Sequence, residues 1–438
     1  VPAVAFSEPR AVLLLLLGEL TVPQEVVLSL RLPAGLRLQE VLFLVAALFA
    51  VVDLACRRDL RWPATGADLC VAVFLLATAT SVAVGYLHGN DVSVIWRDAR
   101  FPCYYGAFFL VTGFVGPRFV LRSFAPALVV GALVVSAQYI LEFLGTIDLS
   151  AGERFVRVAR HQGVSLPIAL LFLVNEFMHH PRRFGRWPLA AAFAPISLAL
   201  VLTVGRGMWV AFGAGVVVST LLWHLSRPVG RRRPLQAALL ALATVVVTVG
   251  VGLLFQRATG SSLGAHAAER SRTFADVTRD VHALQRMSSY LIAWEAIGEH
   301  PVLGNGQGKT LVLPIFNEDQ MRFADFESWS LDNLYLALAL KMGAVGLLAF
   351  GWMGARILRL AWSTFRQTGL PQVRAFAGGA VAVLAAMAML GLTDAAMVNG
   401  SFAVVFGILF GGVAVVAAAA ERASSGQAWD GAAALEGD

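Results

Sequence analysis

Charged side chains are sparse in this sequence. Lys, Arg, Asp and Glu make up 14% of its 438 residues, while 58% are hydrophobic and the mean hydropathy is +0.72. A soluble domain carries roughly 25% charged and 45–50% apolar residues, so this shortage excludes an ordinary water-soluble core. Cysteine is scarcer still. Cys56, Cys70 and Cys103 have no paired spacing and no histidine cluster nearby, which excludes a disulfide framework and a zinc site. There is no Asp-X-Asp pair and no His-Glu-X-X-His, and the histidines are scattered; the sequence points to no metal and no cofactor. Gly304, Gly306 and Gly308 alternate after Pro301 but lack the Gly-Lys-Ser/Thr ending of a nucleotide loop. They read as a tight turn. No internal repeat is evident, and the net charge of +6 sits in short loops rather than in a nucleic-acid-binding patch. The chain opens on Val1 rather than methionine, which reads as a trimmed start.

What is present is apolar sequence in runs of spanning length, each needing about 20 residues. The runs fall near 11–29, 38–55, 68–87, 101–115, 123–144, 163–178, 187–204, 207–225, 235–255, 331–351, 375–393 and 400–420. The expected fold is an all-α polytopic membrane protein, one transmembrane domain over 1–438 with about 12 helices. Alternate loops are short and almost purely basic: Arg57, Arg58 and Arg61; Arg118 and Arg122; Arg182, Arg183 and Arg186; Arg227 and Arg231 to Arg233; Arg356, Arg359 and Arg366. The positive-inside rule puts these loops and both termini in the cytoplasm. The tail 422–438 is polar and rich in small residues, as a disordered cytoplasmic tail would be.

The opposite side receives the long segment 256–330, expected as an extracytoplasmic loop between spans nine and ten. Its first part carries five arginines, and its second part carries six acids from Glu295 to Glu327. Between them Tyr290, Trp294 and Ile297 recur at helical spacing, the pattern of a helix that lies on a membrane surface.

Arginines on that side are the candidate chemistry. Gly205-Arg206-Gly207 interrupts an apolar run too long for one span, which puts Arg206 at the outer membrane–water boundary. An arginine there snorkels to the interface or faces an aqueous cavity; the second fits an anion-binding role. Arg272, Arg279 and Arg286 are spaced by seven and share one stripe if 270–290 is helical. A solvated face, with Arg272 paired to Asp276, is the plainer reading of the first two. Arg154, Arg157, Arg160 and His161 fall between two spans, and Arg97 and Arg100 flank Asp98. Positive charge on the outer side runs against the topology signal, and phosphate is the ligand that suits it. Asp332, Asn333 and Tyr335 open span ten. Asp332 reads either as a helix cap or as a general base at the mouth of the membrane cavity.

The order of these motifs resembles the O-antigen ligase and polymerase superfamily. The residues that carry it are Leu-Thr-Val-Gly-Arg206-Gly-Met-Trp, Arg286 with Trp294, Pro301 with Gly304-Asn-Gly-Gln-Gly, and Asp332-Asn-Leu-Tyr-Leu continuing to Lys341-Met-Gly. They cover Thr203 to Leu348. The resemblance implies a metal-independent glycosyltransferase of the bacterial inner membrane, with its active site facing the periplasm. The donor it implies is an undecaprenyl diphosphate-linked glycan and the acceptor is a glycan or lipid A-core; nucleic acid is not a partner. It assigns Arg206 and Arg286 to the diphosphate, which suits the planar, bidentate guanidinium. Family members carry histidine where this chain has Asp332, and the two reference pKa values are about 6.5 and 3.9. That departure favours an O-antigen or exopolysaccharide polymerase over a ligase. The ligase stays open. A flippase or other carrier of lipid-linked sugars is the rival of another class, but a carrier concentrates functional charge near the midplane, and here the arginines crowd one face.

Overall fold

The computed structural model describes residues 16–18, 38–56, 65–146, 161–180, 186–203, 205–226, 281–317, 322–399 and 402–424. The expected spans at 11–29 and 235–255 fall mostly or wholly outside them, as does the tail after Ser424.

The described chain is mostly helical. In order come α1 (Leu38–Cys56), α2 (Asp68–Leu87), α3 (Val92–Cys103), α4 (Ala107–Phe114), α5 (Ala125–Thr146), α6 (Ser165–His179), α7 (Arg186–Leu202) and α8 (Arg206–Leu225). After these come α9 (Val281–Glu299), α10 (Leu334–Gln367), α11 (Pro371–Leu390), the short α12 (Ala396–Asn399) and α13 (Phe402–Ser424). Six helical segments among the described residues are long and apolar enough to cross a membrane: 68–87, 117–144, 206–225, 334–367, 371–390 and 402–423. Each coincides with an expected span.

Two departures have clear local causes. The run at 101–115 is not one helix: α3 ends at Cys103, a 3-10 turn covers Tyr104–Gly106, and α4 follows. Pro102 lies inside the last turn of α3 and offers no amide to continue the ladder. The fold is also not purely helical. Strands β1 (Leu311–Asn317) and β2 (Arg322–Ser328) form an antiparallel hairpin in which Leu311 faces Ser328 and Asn317 faces Arg322. The alternation in Leu311-Val312-Leu313, with Leu311 and Leu313 buried and Val312 exposed, is the period-two signal of a strand.

The core is built around α13, which packs against α4, α10 and α11. Phe406 and Phe410 on α13 are fully buried, and Tyr105 meets both Phe410 and Phe74 at ring-centroid distances of 5.6 and 5.3 Å. Polar contacts join helices where no water competes: Asn175 on α6 donates to the Ser219 hydroxyl on α8 at 2.8 Å.

Helix α10 is broken. Gly343 has φ 62° and ψ −162°, outside the helical region, so the ladder stops and restarts there. Unpaired backbone groups at membrane depth are costly and must be satisfied by protein. The turn after α9 satisfies them on both sides of the break. The amides of Asn305 and Gly306 donate to the carbonyls of Leu340 and Lys341 (2.8 and 3.1 Å), and those of Ala344 and Val345 donate to Pro301 and Val302 (2.9 and 3.2 Å). The Ser81 hydroxyl also donates to Lys341 O at 2.6 Å. Gly306, at φ 83°, lies backbone to backbone against Gly85 of α2, and a side chain on either would collide with the other strand of chain. The alternating glycines are therefore a wedge seated between α2 and the two halves of α10.

Candidate functional site

Three helix ends meet at one end of the bundle: the N-termini of α8 and α10 and the C-terminus of α11. Gly391–Ala395, the turn that follows α11, is the hub. The Leu334 amide donates to Gly391 O at 2.8 Å, and Asn333 Nδ2 donates to Leu392 O at 3.1 Å. The Tyr290 hydroxyl lies 3.0 Å from Leu392 O and 3.1 Å from Asp332 O. On the α8 side, Thr393 sits against Gly207, so closely that glycine is the residue that fits there. Arg206 is the first residue of α8, directly beside this contact. The first amides of α10 are taken by Gly391 O and the Asn333 side chain, whereas α8 begins without a side-chain cap, and its positive dipole end favours an anion beside the hub.

Arg286 reaches the same place from α9. Its Nε lies 3.7 Å from Asp332 Oδ2, with 40% of the arginine side chain and 67% of the aspartate side chain exposed. Asp332 does not cap α10. Asn333 does, accepting from the amides of Tyr335 and Leu336 at 3.0 Å each. Of the two readings of Asp332, capping is thus overturned by its neighbour: Asn333 takes the cap, and the carboxylate is turned toward Arg286. Burial pushes the Tyr290 phenol above its ordinary value, with the nearby Arg286 and the Asn333 hydrogen bond pulling it back and Asp332 adding to the rise. The phenol is therefore a hydrogen-bond donor at neutral pH.

The other sequence-derived residues divide into three groups. Asn333 and Tyr335 are engaged in architecture: the first as described, the second through its hydroxyl, which donates to Ala388 O of α11 at 2.8 Å. Arg97 and Arg100 sit on α3. The Arg97 guanidinium lies 4.5 Å from the centroid of the Trp329 ring, and Arg100 pairs with Glu40 and donates to Arg97 O at 3.0 Å. Arg157, Arg160, Arg272 and Arg279 lie outside the described residues, and His161 begins the 3-10 turn before α6. Helix α9 begins at Val281, so a single arginine stripe over 270–290 falls outside what is described except at Arg286.

Behind the hub lies an ion pair with no sequence signal. Asp98 of α3 and Lys341 of α10 approach to 2.8 Å, with side chains 0% and 6% exposed. The Gly308 amide donates to the same Asp98 oxygen at 3.0 Å, and Lys341 also lies over Trp329 at 5.5 Å. The pair locks the glycine wedge and the foot of the hairpin to α3. Sequence reasoning also missed Thr393 and Asp394. Asp394 Oδ1 accepts from the Ala396 amide at 2.8 Å, bringing a further carboxylate into the hub turn. Nothing in a short Gly-Leu-Thr-Asp stretch between two apolar runs announces that role. Among the described residues, no group of three or more His, Cys, Asp or Glu side chains is arranged as metal ligands would be.

A guanidinium paired with a carboxylate, beside the N-terminus of α8, can bind a phosphorylated group and accept a proton next to it. No curated protein matches the chain. Residues 191–351, which contain Arg206, Arg286, the glycine wedge and Asp332, match the family described as O-Antigen ligase. That stretch is similar to the O-antigen ligase family, and the match supports the O-antigen ligase and polymerase superfamily, which implies glycosyltransferase-type activity.

Proposed function

We propose that this protein moves a glycan from an undecaprenyl diphosphate carrier to a sugar hydroxyl, as an O-antigen or exopolysaccharide polymerase does. The proposed setting is the bacterial inner membrane, with about 12 spans, 256–330 as a periplasmic loop and the site facing the periplasm. What supports the reading is that one turn, Gly391–Ala395, touches both α8, which opens on Arg206, and the Tyr290–Asp332 region where Arg286 pairs with Asp332. The basic residues Arg356, Arg359 and Arg366 lie toward the other end of α10.

In the proposed step the acceptor hydroxyl oxygen attacks the anomeric carbon of the donor. The bond from that carbon to the diphosphate oxygen breaks, and its electron pair leaves with the carrier. Arg206 and Arg286 stabilise the charge that develops on the departing diphosphate; the loss of one such preorganised donor typically costs about 10²–10³ in rate. Asp332, exposed at the mouth and next to Arg286, takes the hydroxyl proton. The test is incubation of the purified protein in liposomes with lipid-linked repeat units, with and without lipid A-core. A ladder of lengthened glycans supports the polymerase. Conjugates on lipid A alone make the protein a ligase, and consumption of no donor under either condition contradicts glycosyl transfer.

A further inference from the structure

Helix α9 has three distinct faces. Ser289, Ala293 and Ala296, spaced by four and three, are buried to 9%, 0% and 9% exposure against the bundle. Arg286 and Tyr290, one turn apart, face the hub. Leu284, Met287, Leu291 and Trp294, spaced by three, four and three, form an apolar stripe pointing outward, with Leu291 68% and Trp294 69% exposed. Tyr290 and Ile297, which the sequence groups with Trp294, turn inward instead; Ile297 packs on the core.

The chain leads from α9 directly onto an apolar surface of a helix long enough to span a membrane. Pro301 and Val302, just past the end of α9, accept hydrogen bonds from Ala344 and Val345 of α10. Val302, Leu303, Val345 and Leu348 are all exposed, and α10 is long and apolar enough to cross a membrane. Exposed apolar side chains on α9, on the turn that follows it and on the spanning helix this turn is bonded to suit one apolar neighbour for all three. A tryptophan at one end and glutamates on the flank (Glu295 and Glu299, both exposed) complete the pattern of an interfacial helix.

We infer that α9 lies in the plane of the membrane interface, with Leu284, Met287, Leu291 and Trp294 among the acyl chains of the bilayer and Glu295 and Glu299 toward water. Arg286, on the neighbouring face, then stands at headgroup depth, where a lipid-borne phosphate arrives without leaving the membrane. The inference needs only that the chain spans a bilayer. It stands or falls apart from glycosyl transfer.

The unmodified protein is reconstituted into liposomes containing a phospholipid with a diazirine on its acyl chain, irradiated, and digested for mass spectrometry. The expected result is lipid adducts on the peptide holding 284–294 at a yield within a few-fold of those on 345–352. Adducts on 345–352 with none on 284–294, or chain-to-chain crosslinks through 284–294 instead, overturn it. An independent readout uses nitroxide labels introduced by Leu291→Cys or Glu295→Cys, with Cys56, Cys70 and Cys103 replaced by serine. The ratio of oxygen to water-soluble nickel accessibility should be several-fold higher at 291 than at 295; equal ratios contradict the proposed placement.

Discussion

Arg286 on α9 and Asp332 at the foot of α10 form an ion pair, 3.7 Å between Nε and Oδ2, at the open end of the helix bundle. They are 46 residues apart in sequence, with the glycine turn and the β1–β2 hairpin between them. Because both side chains are well exposed, the pair adds little to stability. Its interest lies in placing a guanidinium and a carboxylate where a phosphorylated donor and a hydroxyl acceptor would meet.

Asp332→Asn should slow transfer by about 10²–10⁴, the usual worth of a general base, with donor binding and melting temperature unchanged. The cap of α10 belongs to Asn333, so a loss of activity in this variant cannot be credited to a lost cap. Turnover and thermal unfolding of the purified variant decide it; parental turnover removes Asp332 from the chemistry.

Asn333→Ala should lower the melting temperature, since losing an N-cap typically costs about 1 kcal/mol, and it also removes the link to Leu392 O. Asn333→Asp keeps the cap and should recover most of that loss. Thermal unfolding in detergent compares the two; equal melting temperatures for the alanine variant and the parent would contradict the capping role.

Breaking the buried pair behind the hub should be far more damaging. Asp98→Asn or Lys341→Met alone leaves one unpaired buried charge, a loss of about 3–5 kcal/mol. The double replacement removes both charges and should unfold at a higher temperature than either single variant. A double variant less stable than both would contradict charge pairing as the origin of the effect.

Tyr290 carries a pH expectation. Burial raises its pKa above the unfolded value of about 10, so the folded state holds the proton more tightly. The resulting stability is fully present below about pH 10 and is lost as pH rises beyond it. Melting temperatures of the parent and Tyr290→Phe should therefore run parallel from pH 6 to 9 and converge above. Divergence within the neutral range would contradict it.

How far the site was legible depended on distance along the chain. Arg206 announced itself because a charge between two glycines interrupts an apolar run, and Asp332 because it opens one. Local pattern also located the spanning helices at 68–87, 206–225 and 371–390. What local pattern lacked was the partner. The Lys341-Met-Gly343 stretch reads as ordinary span, yet Gly343 breaks the helix and the wedge at 301–306 repairs it. Asp98 stands between two arginines in sequence, yet its partner is Lys341, 243 residues away. Capping fell one residue on from Asp332, because both types cap well and it is Asn333, with φ −149° and ψ 117°, that stands at the N-cap position.

The most direct test of the account is single-turnover transfer from a labelled undecaprenyl diphosphate-linked glycan in liposomes, comparing the parent with Arg206→Ala and Arg286→Ala. Each alanine variant should remain folded and lose about 10²–10³ in the rate of carrier diphosphate release. Lysine at either position should restore little, because it keeps the charge but not the planar fork. Release at the parental rate in both alanine variants would contradict the claim that these arginines receive the diphosphate.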